Sequence, residues 1–422
     1  MPELLPLWIQ VHEGPTHPLA PQEFQLPQAE LPRCAVLVPG WEPDLLAPAP
    51  VLASSPEERH DALAAAAIAH LAGPWSRTDD GDAVRCDLTT LRRSGCPVLD
   101  PASVITVDQA IAADPRSPLL PLASEPVMWW VPAHRLSDDH PQWVPLAAVH
   151  TGPVPRLCGS SVGDPRAAPV GAVNLVGLAG GRTRSEAVRT ATGHVVAHHV
   201  VATWWADPTA APPVLWHRED PHTTLLWLPG PHGVPAILAV VDDPVAQITC
   251  VGVDVDADPE RAARRAAALA WHQATLLADL ALADGVLRRT APGWGGATLL
   301  PWRSDRMMLD EAPAVDVAGA TVRPRPALGD PLLALQCGLD PRLRAALRQR
   351  LTPACTAPPP SVDPVAVLAD QLWVRDLTPA LSAHHGWTAV RVLWPGAARL
   401  DPPALPCRQL TAAPTQLPWP GW

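Results

Sequence analysis

The residues of this chain whose types and spacing could do chemistry are the histidines of the segment GHVVAHHVV. His194 and His198 stand four apart, which places both imidazoles on one face of a helix, a spacing that suits zinc or another transition metal. No acidic residue accompanies them, so a structural or partner-contacting role is the competing reading. Cysteine chemistry has less support. The eight cysteines, at positions 34, 86, 96, 158, 250, 337, 355 and 407, include no CxxC pair, which argues against zinc-ribbon and thioredoxin-like sites. The net charge of −11, with 31 arginines and no lysine, argues against a broad basic face for nucleic acid.

Elements must exist to position these groups. At 422 residues and 47% hydrophobic content, the chain can bury a large core. Its 55 prolines cluster in connectors such as APPPSVDP and in the final PTQLPWPGW, with periodic apolar segments between them, so the chain reads as folded with stiff loops. Strands are expected at residues 32–40, 127–134, 142–149, 224–228, 234–241, 248–255, 373–377 and 389–394, the second and third as an antiparallel pair. Helices are expected at 57–72, with Ser55 as N-cap, and from about 184 to 205, after a turn at Gly177, Gly180 and Gly181. Thr183 with Glu186 has capping-box spacing. A further long helix starts at Pro259, and others lie near 330–351 and 364–372. Most of the eighteen tryptophans, Trp129, Trp130, Trp143, Trp204 and Trp205 among them, fall on apolar periodic segments and read as core, whereas Trp419 and Trp422 would suit an interface. This is an α/β (α+β) pattern whose strands pair largely antiparallel, with helices packed on mixed sheets. No basic segment followed by a long apolar stretch opens the chain, and no 18-residue apolar run follows, so no membrane association and a cytoplasmic location are expected.

One segment carries a resemblance. Gly177-Leu178-Ala179-Gly180-Gly181-Arg182-Thr183, then Glu186-Ala187, then Trp204-Trp205, resembles without a gap the YcaO-family turn GLAAGxT, its E-x-x-E-R-D helix and the closing Trp pair. Where the family has two glutamates, an arginine and an aspartate, this chain has His194, Ala197, His198 and His199. The family's earlier helix resembles residues 62–73, ALAAAAIAHLAG, with Ala62 at the serine position, Ala66 and Ala69 at two glutamates and His70 at the arginine. Its third helix, A-L-x-E-A-x-Q, is similar to residues 267–273, with Ala270 at the glutamate position and Gln273 retained. The segments PWRSDRMMLD, GDPLLALQCGLDPRLRAALRQRL and VRDLTPALSAHHGWTAVRVLWPG resemble actinobacterial members that make azolines in thiopeptide-type pathways. Asp376 looks like a family turn residue. The resemblance implies a YcaO-like domain over residues 51–422 with a proline-rich tail, while the first 50 residues are not diagnostic.

Active members of that family use ATP and magnesium to activate a backbone amide of a ribosomally made peptide, forming azolines, thioamides or amidines. Their carboxylates hold the metal. Magnesium prefers oxygen ligands, which alanine lacks and histidine does not supply. The resemblance therefore implies a pseudoenzyme subunit, with no catalytic residue and no cofactor, and with Ala62, Ala66, Ala69, His70, His194, Ala197, His198, Ala270 and Gln273 marking a vestigial nucleotide site. Its implied partners are an active YcaO paralogue or a ThiF-like leader-binding protein, and the precursor peptide, in a hetero-oligomer. Two alternatives stand beside it. One is a divergent cyclodehydratase that still uses ATP and magnesium; the other is a stand-alone precursor-binding module. His70, as a third ligand beside His194 and His198, would complete the metal reading.

Overall fold

The computed structural model describes residues 9–10, 33–34, 65, 83–105, 127–149, 176–285, 301–308, 336–378 and 386–398. In chain order the strands begin with β1 (Ile9–Gln10) and β2 (Arg33–Cys34), which pair with each other, and β3 (Val84–Cys86). Two short helices follow, α1 (Leu88–Arg93) and α2 (Pro101–Val104), then β4 (Met128–Arg135), β5 (Pro141–Pro145), α3 (Leu146–Val149) and β6 (Leu178–Gly181). The long helix α4 (Arg184–Ala206) leads into β7 (Val214–Arg218), β8 (Thr223–Pro229), β9 (Pro235–Asp243) and β10 (Ile248–Asp254). A second long helix, α5 (Pro259–Leu280), precedes α6 (Pro341–Arg350), α7 (Pro364–Leu368), β11 (Trp373–Asp376) and β12 (Thr388–Leu393).

Two antiparallel sheets dominate. One has the order β10-β9-β8-β7, built from sequential hairpins; the other runs β3-β4-β11-β12-β6, with β5 also on β4. Helix α4 lies between them. Its Val196, Val200 and Trp204 share one core with Ala179, Val390 and Val392 of the second sheet and with Leu226, Ala236 and Leu238 of the first. Alternation along the strands sends the intervening residues, Leu225, Ile237, Ala239 and Cys250, to the other face of the four-stranded sheet, where they pack on α5. Burial on two sides explains why α4 carries valine, alanine and tryptophan around its whole circumference. Close approach has a cost in side chains. A Cβ on Gly252 would lie 1.9 Å from the Ala266 carbonyl oxygen of α5, and one on Gly193 would lie 2.6 Å from the Val255 carbonyl oxygen.

The ends of α4 are fixed by chemistry that the sequence spells out at one end only. Thr183 caps it with the reciprocal Glu186 bond, as the spacing predicts. At the far end, Arg350 of α6 donates to the carbonyls of Trp204, Asp207 (2.8 Å) and Pro208 (3.2 Å), and its guanidinium sits 4.7 Å from the Trp204 ring centre. A cation supplied from another helix thus satisfies the negative end of the α4 dipole.

The elements agree with the pattern reading over the long segments and depart from it at short ones. The pair expected at 127–134 and 142–149 is antiparallel, but the strand stops at Pro145 and Leu146–Val149 turns helical, because a short apolar run fits either state. Leu178–Gly181, expected as a turn, is a strand held by β12, a partner two hundred residues away; only Gly177, at φ +84°, is turn-like. Near the C-terminal end the helix reading of 364–372 divides into α7 and a 3₁₀ turn at Ala369–Gln371. Of the helix expected at 57–72, Ala65 alone lies within the described residues, and it is helical. Residues 330–335, Trp419 and Trp422 lie outside them.

One buried and one half-buried imidazole follow from this packing. His272 on α5 is pushed down to about 4 by burial, and His194 on α4 to about 4 by burial and then by the Arg265 charge. Two outcomes are expected. Arg350→Ala should cost about 2 kcal/mol in urea unfolding, since it removes charge-assisted bonds and a cation–π contact together; an unchanged midpoint would show that the cap does nothing. The folded imidazoles titrate below their unfolded value of 6.5, so their contribution is complete above that pH and is lost as pH falls toward 4. His272 alone accounts for about 1.4 kcal/mol per pH unit in that window. Asp254, raised by burial, works in the opposite direction. Unfolding measured at pH 7.5 and pH 5 should therefore show a loss on acidification that is smaller in His272→Gln, and an identical loss in both proteins would sink this account.

Candidate nucleotide-site remnant between the sheets

The expected site residues come from α4, α5 and the helix that carries Ala65. Ala65 approaches β6 closely: a Cβ on Gly180 would lie 2.3 Å from the Ala65 carbonyl oxygen, and Ala65 packs with Trp387 and Ala389. Beside it, the Arg182 guanidinium stacks 3.9 Å from the centre of the Trp387 ring. Glycine at 180 is thus required by helix-on-strand contact, one physical reason for the glycines of the LAGG segment. Ala62, Ala66, Ala69 and His70 belong to the same helix reading and lie outside the described residues.

The described positions separate into different environments. His194 is half-buried and lies within the field of Arg265 from α5. Ala197, one turn on, is 5% exposed and sits in the core that joins α4 to both sheets. Ala270 is fully buried on the far side of the four-stranded sheet, where its amide faces Gly252. Gln273 is buried on α5 as well. The structure therefore brings His194 near the start of α5, but places Ala197 and Ala270 in two cores on opposite faces of one sheet.

The histidines do not act as one set. His198 is half-buried one turn beyond His194. His199 turns toward the end of the six-stranded sheet, where its Nδ1 accepts the Ala398 N–H at 2.9 Å and its ring lies 4.6 Å from Trp394. That bond fixes the proton on Nε2, and burial lowers the pKa of the ring. Among the described residues, no group of three or more His, Cys, Asp and Glu side chains could hold a metal ion. Asp376 accepts the Thr378 amide at 2.8 Å, a turn contact.

Pattern reading missed the charged cluster beside His194. Asp254 ends β10 and Asp256 follows two residues on, and Arg261 and Arg265 stand four apart on the first turns of α5. Arg265 Nε donates to Asp254 at 2.7 Å and its Nη2 to Asp256 at 2.8 Å, while Arg261 Nε donates to Asp256 at 2.8 Å. Burial raises the Asp254 carboxyl in spite of Arg265. For Asp256 burial pushes up too, but the Arg261 bond, the Asp258 amide and the Arg265 charge outweigh it and lower the pKa. Two carboxylates and two guanidiniums compensate one another. The DVDADPERAARR run carried the signal, two i+2 acids before two i+4 arginines, but only pairing across the strand–helix turn shows that they meet.

The YcaO family model, described as YcaO cyclodehydratase, ATP- and Mg2+-binding, matches residues 65–270. No curated protein sequence matches the chain. Among solved structures, one described as a heterocyclase in complex with substrate and cofactor is 16% identical at a TM-score of 0.51, covering 81% of this chain and 44% of that one. The heterocyclase TruD is 17% identical at a TM-score of 0.48, covering 86% and 49%. YcaO from Methanopyrus kandleri, bound with AMPPCP and Mg2+, is 18% identical at 0.45, covering 82% and 77%. The chain thus spans less than half the length of the first two structures, and the likeness to the first is one of fold. Over residues 65–270, this chain is similar to the YcaO family.

Proposed function

We propose that the chain is a catalytically degenerate YcaO-like subunit that supports an active YcaO partner in modifying a ribosomally made precursor peptide. The partner, with its acidic residues intact, would form the azoline, thioamide or amidine. The observation that carries this reading is the packing at the expected ligand positions. Ala197 and Ala270 are core residues, at 5% and 0% exposure. A carboxylate at either place would be an uncompensated buried charge. His194, the remaining described ligand position, is an imidazole held neutral by burial and by the Arg265 charge.

The described residues do not fit a magnesium-bound nucleotide. Magnesium takes oxygen ligands in octahedral geometry, usually one or two carboxylates with phosphate oxygens and water. The carboxylates beside His194, Asp254 and Asp256, already accept from Arg261 and Arg265. Freeing either would leave a guanidinium without its counter-ion. The chain's own contribution is then a scaffold: two sheets locked on α4, with the nucleotide positions filled by packing. Hetero-oligomerisation with the paralogue or a ThiF-like leader-binding protein completes the proposal. Among the described residues no helix is long and apolar enough to cross a membrane.

Calorimetry with magnesium-ATP tests the first half of this reading: no saturable heat is expected, and tight binding would overturn it. Reconstitution tests the second. With precursor peptide and ATP, the chain alone should leave the peptide mass unchanged, and should raise the paralogue's rate of water loss when added to it. Dehydration by the chain alone would identify a divergent cyclodehydratase instead. Peptide binding without any effect on the paralogue would identify a stand-alone binding module.

A further inference from the structure

Far from the α4–β6 contact, three arginines meet at the hairpin between β9 and β10. Arg344 and Arg348 stand four apart on α6, hence on one face, and α6 packs on β10. Arg306 arrives from the segment 301–308, with a positive φ of 56°, and donates through Nη1 to the Ala246 carbonyl at 2.6 Å. Arg348 is held by both oxygens of Asp242, which also accepts from Thr249 Oγ1 at 2.7 Å. Among the described residues Arg344 has no such partner. Its Nε is buried and makes no hydrogen bond.

The acids nearby are spoken for. Asp243 Oδ1 accepts the amides of Val245 at 2.7 Å and Ala246 at 2.9 Å. Asp340, at the N-cap of α6, receives Arg342 through Nε at 2.9 Å and Nη2 at 2.8 Å. Desolvation, followed by the charges of Arg348 and Arg306, holds the Arg344 pKa below its ordinary value, against the attraction of Asp242 and Asp243. A guanidinium carries five donors in a fixed fork that fits carboxylate and phosphate oxygens. In a chain of net charge −11, a half-buried arginine beside two others, in no ion pair among the described residues, is suited to take an external anion.

We propose that Arg344, with Arg306 and Arg348, forms a binding site for an oxyanion, a carboxylate or phosphate group, at the β9–β10 hairpin. Arg344 supplies the free donors and its two neighbours the field. The site stands independently of the role proposed above, being built from α6 and the hairpin rather than from α4.

Thermal unfolding of the full chain at constant ionic strength provides the test, with inorganic phosphate in one titration and acetate in the other, each replacing chloride. At least one anion should raise the midpoint saturably. Arg344→Gln should weaken the half-saturation about tenfold, the scale of a charge-assisted hydrogen bond. Arg264→Gln, an exposed arginine of α5, should leave it unchanged. Because Arg344 makes no side-chain bond in the free chain, its glutamine variant should unfold without anion at the same temperature or higher. Stronger binding of phosphate assigns a phosphoryl ligand, and stronger binding of acetate a carboxylate. The absence of saturation with both, or equal affinity in Arg344→Gln, would overturn the proposal.

Discussion

Helix α4 is buried on two sides, and most of the structure depends on that placement. The six-stranded sheet meets it through β6 and β12, and the four-stranded sheet through Leu226, Ala236 and Leu238. Apolar area removed from water on both sides contributes roughly 25 cal/mol per Å², without the half-exposed face of a surface helix. The same placement leaves little room for charge. A side chain in the middle of α4 meets one sheet or the other, so polar groups there must find partners within the core or at its rim. Thr183 and Arg350 close the two ends, and His199 has a backbone partner near the sheet edge.

Similarity to the YcaO family model over residues 65–270 and the chemistry of these positions pull in different directions. The family model spans the helices in question and describes ATP and magnesium binding. In this chain the described positions hold alanine in close-packed cores and a neutral histidine. The charge that remains nearby is locked into the Asp254–Arg265–Asp256–Arg261 cluster. Such a cluster has a structural use. It ties the exit of β10 to the first turns of α5, where Gly252 lets the helix backbone approach the sheet. Substituting one member would strand a buried charge, so the group holds together as a unit.

A second pattern of charge appears at the other end of β10, around the β9–β10 hairpin. There the arginines are not matched one-to-one with acids. Compensation at one end of a strand and excess at the other, in the same acidic chain, separates a structural use of arginine from one that is open to a ligand.

Much of this was legible in the residues. The long helices, the cap at Thr183 and the start at Pro259, and the strands β8, β9 and β10 follow from local periodicity and turn chemistry, because each is decided within a few residues of itself. The ungapped frame from Gly177 to Trp205 carried the family resemblance, and the identities at 194, 197 and 270 are properties of the sequence alone. Tertiary structure decided what local pattern could not. Leu178–Gly181 became a strand because β12 lies beside it, and Leu146–Val149 a helix once β5 had ended. Only the fold could set Ala197 and Ala270 on opposite faces of a sheet, bring Arg350 to the end of α4, and leave Arg344 unmatched. Each depends on contacts between segments distant in sequence, and the side chains that meet there are chosen by packing geometry rather than by their neighbours in the chain.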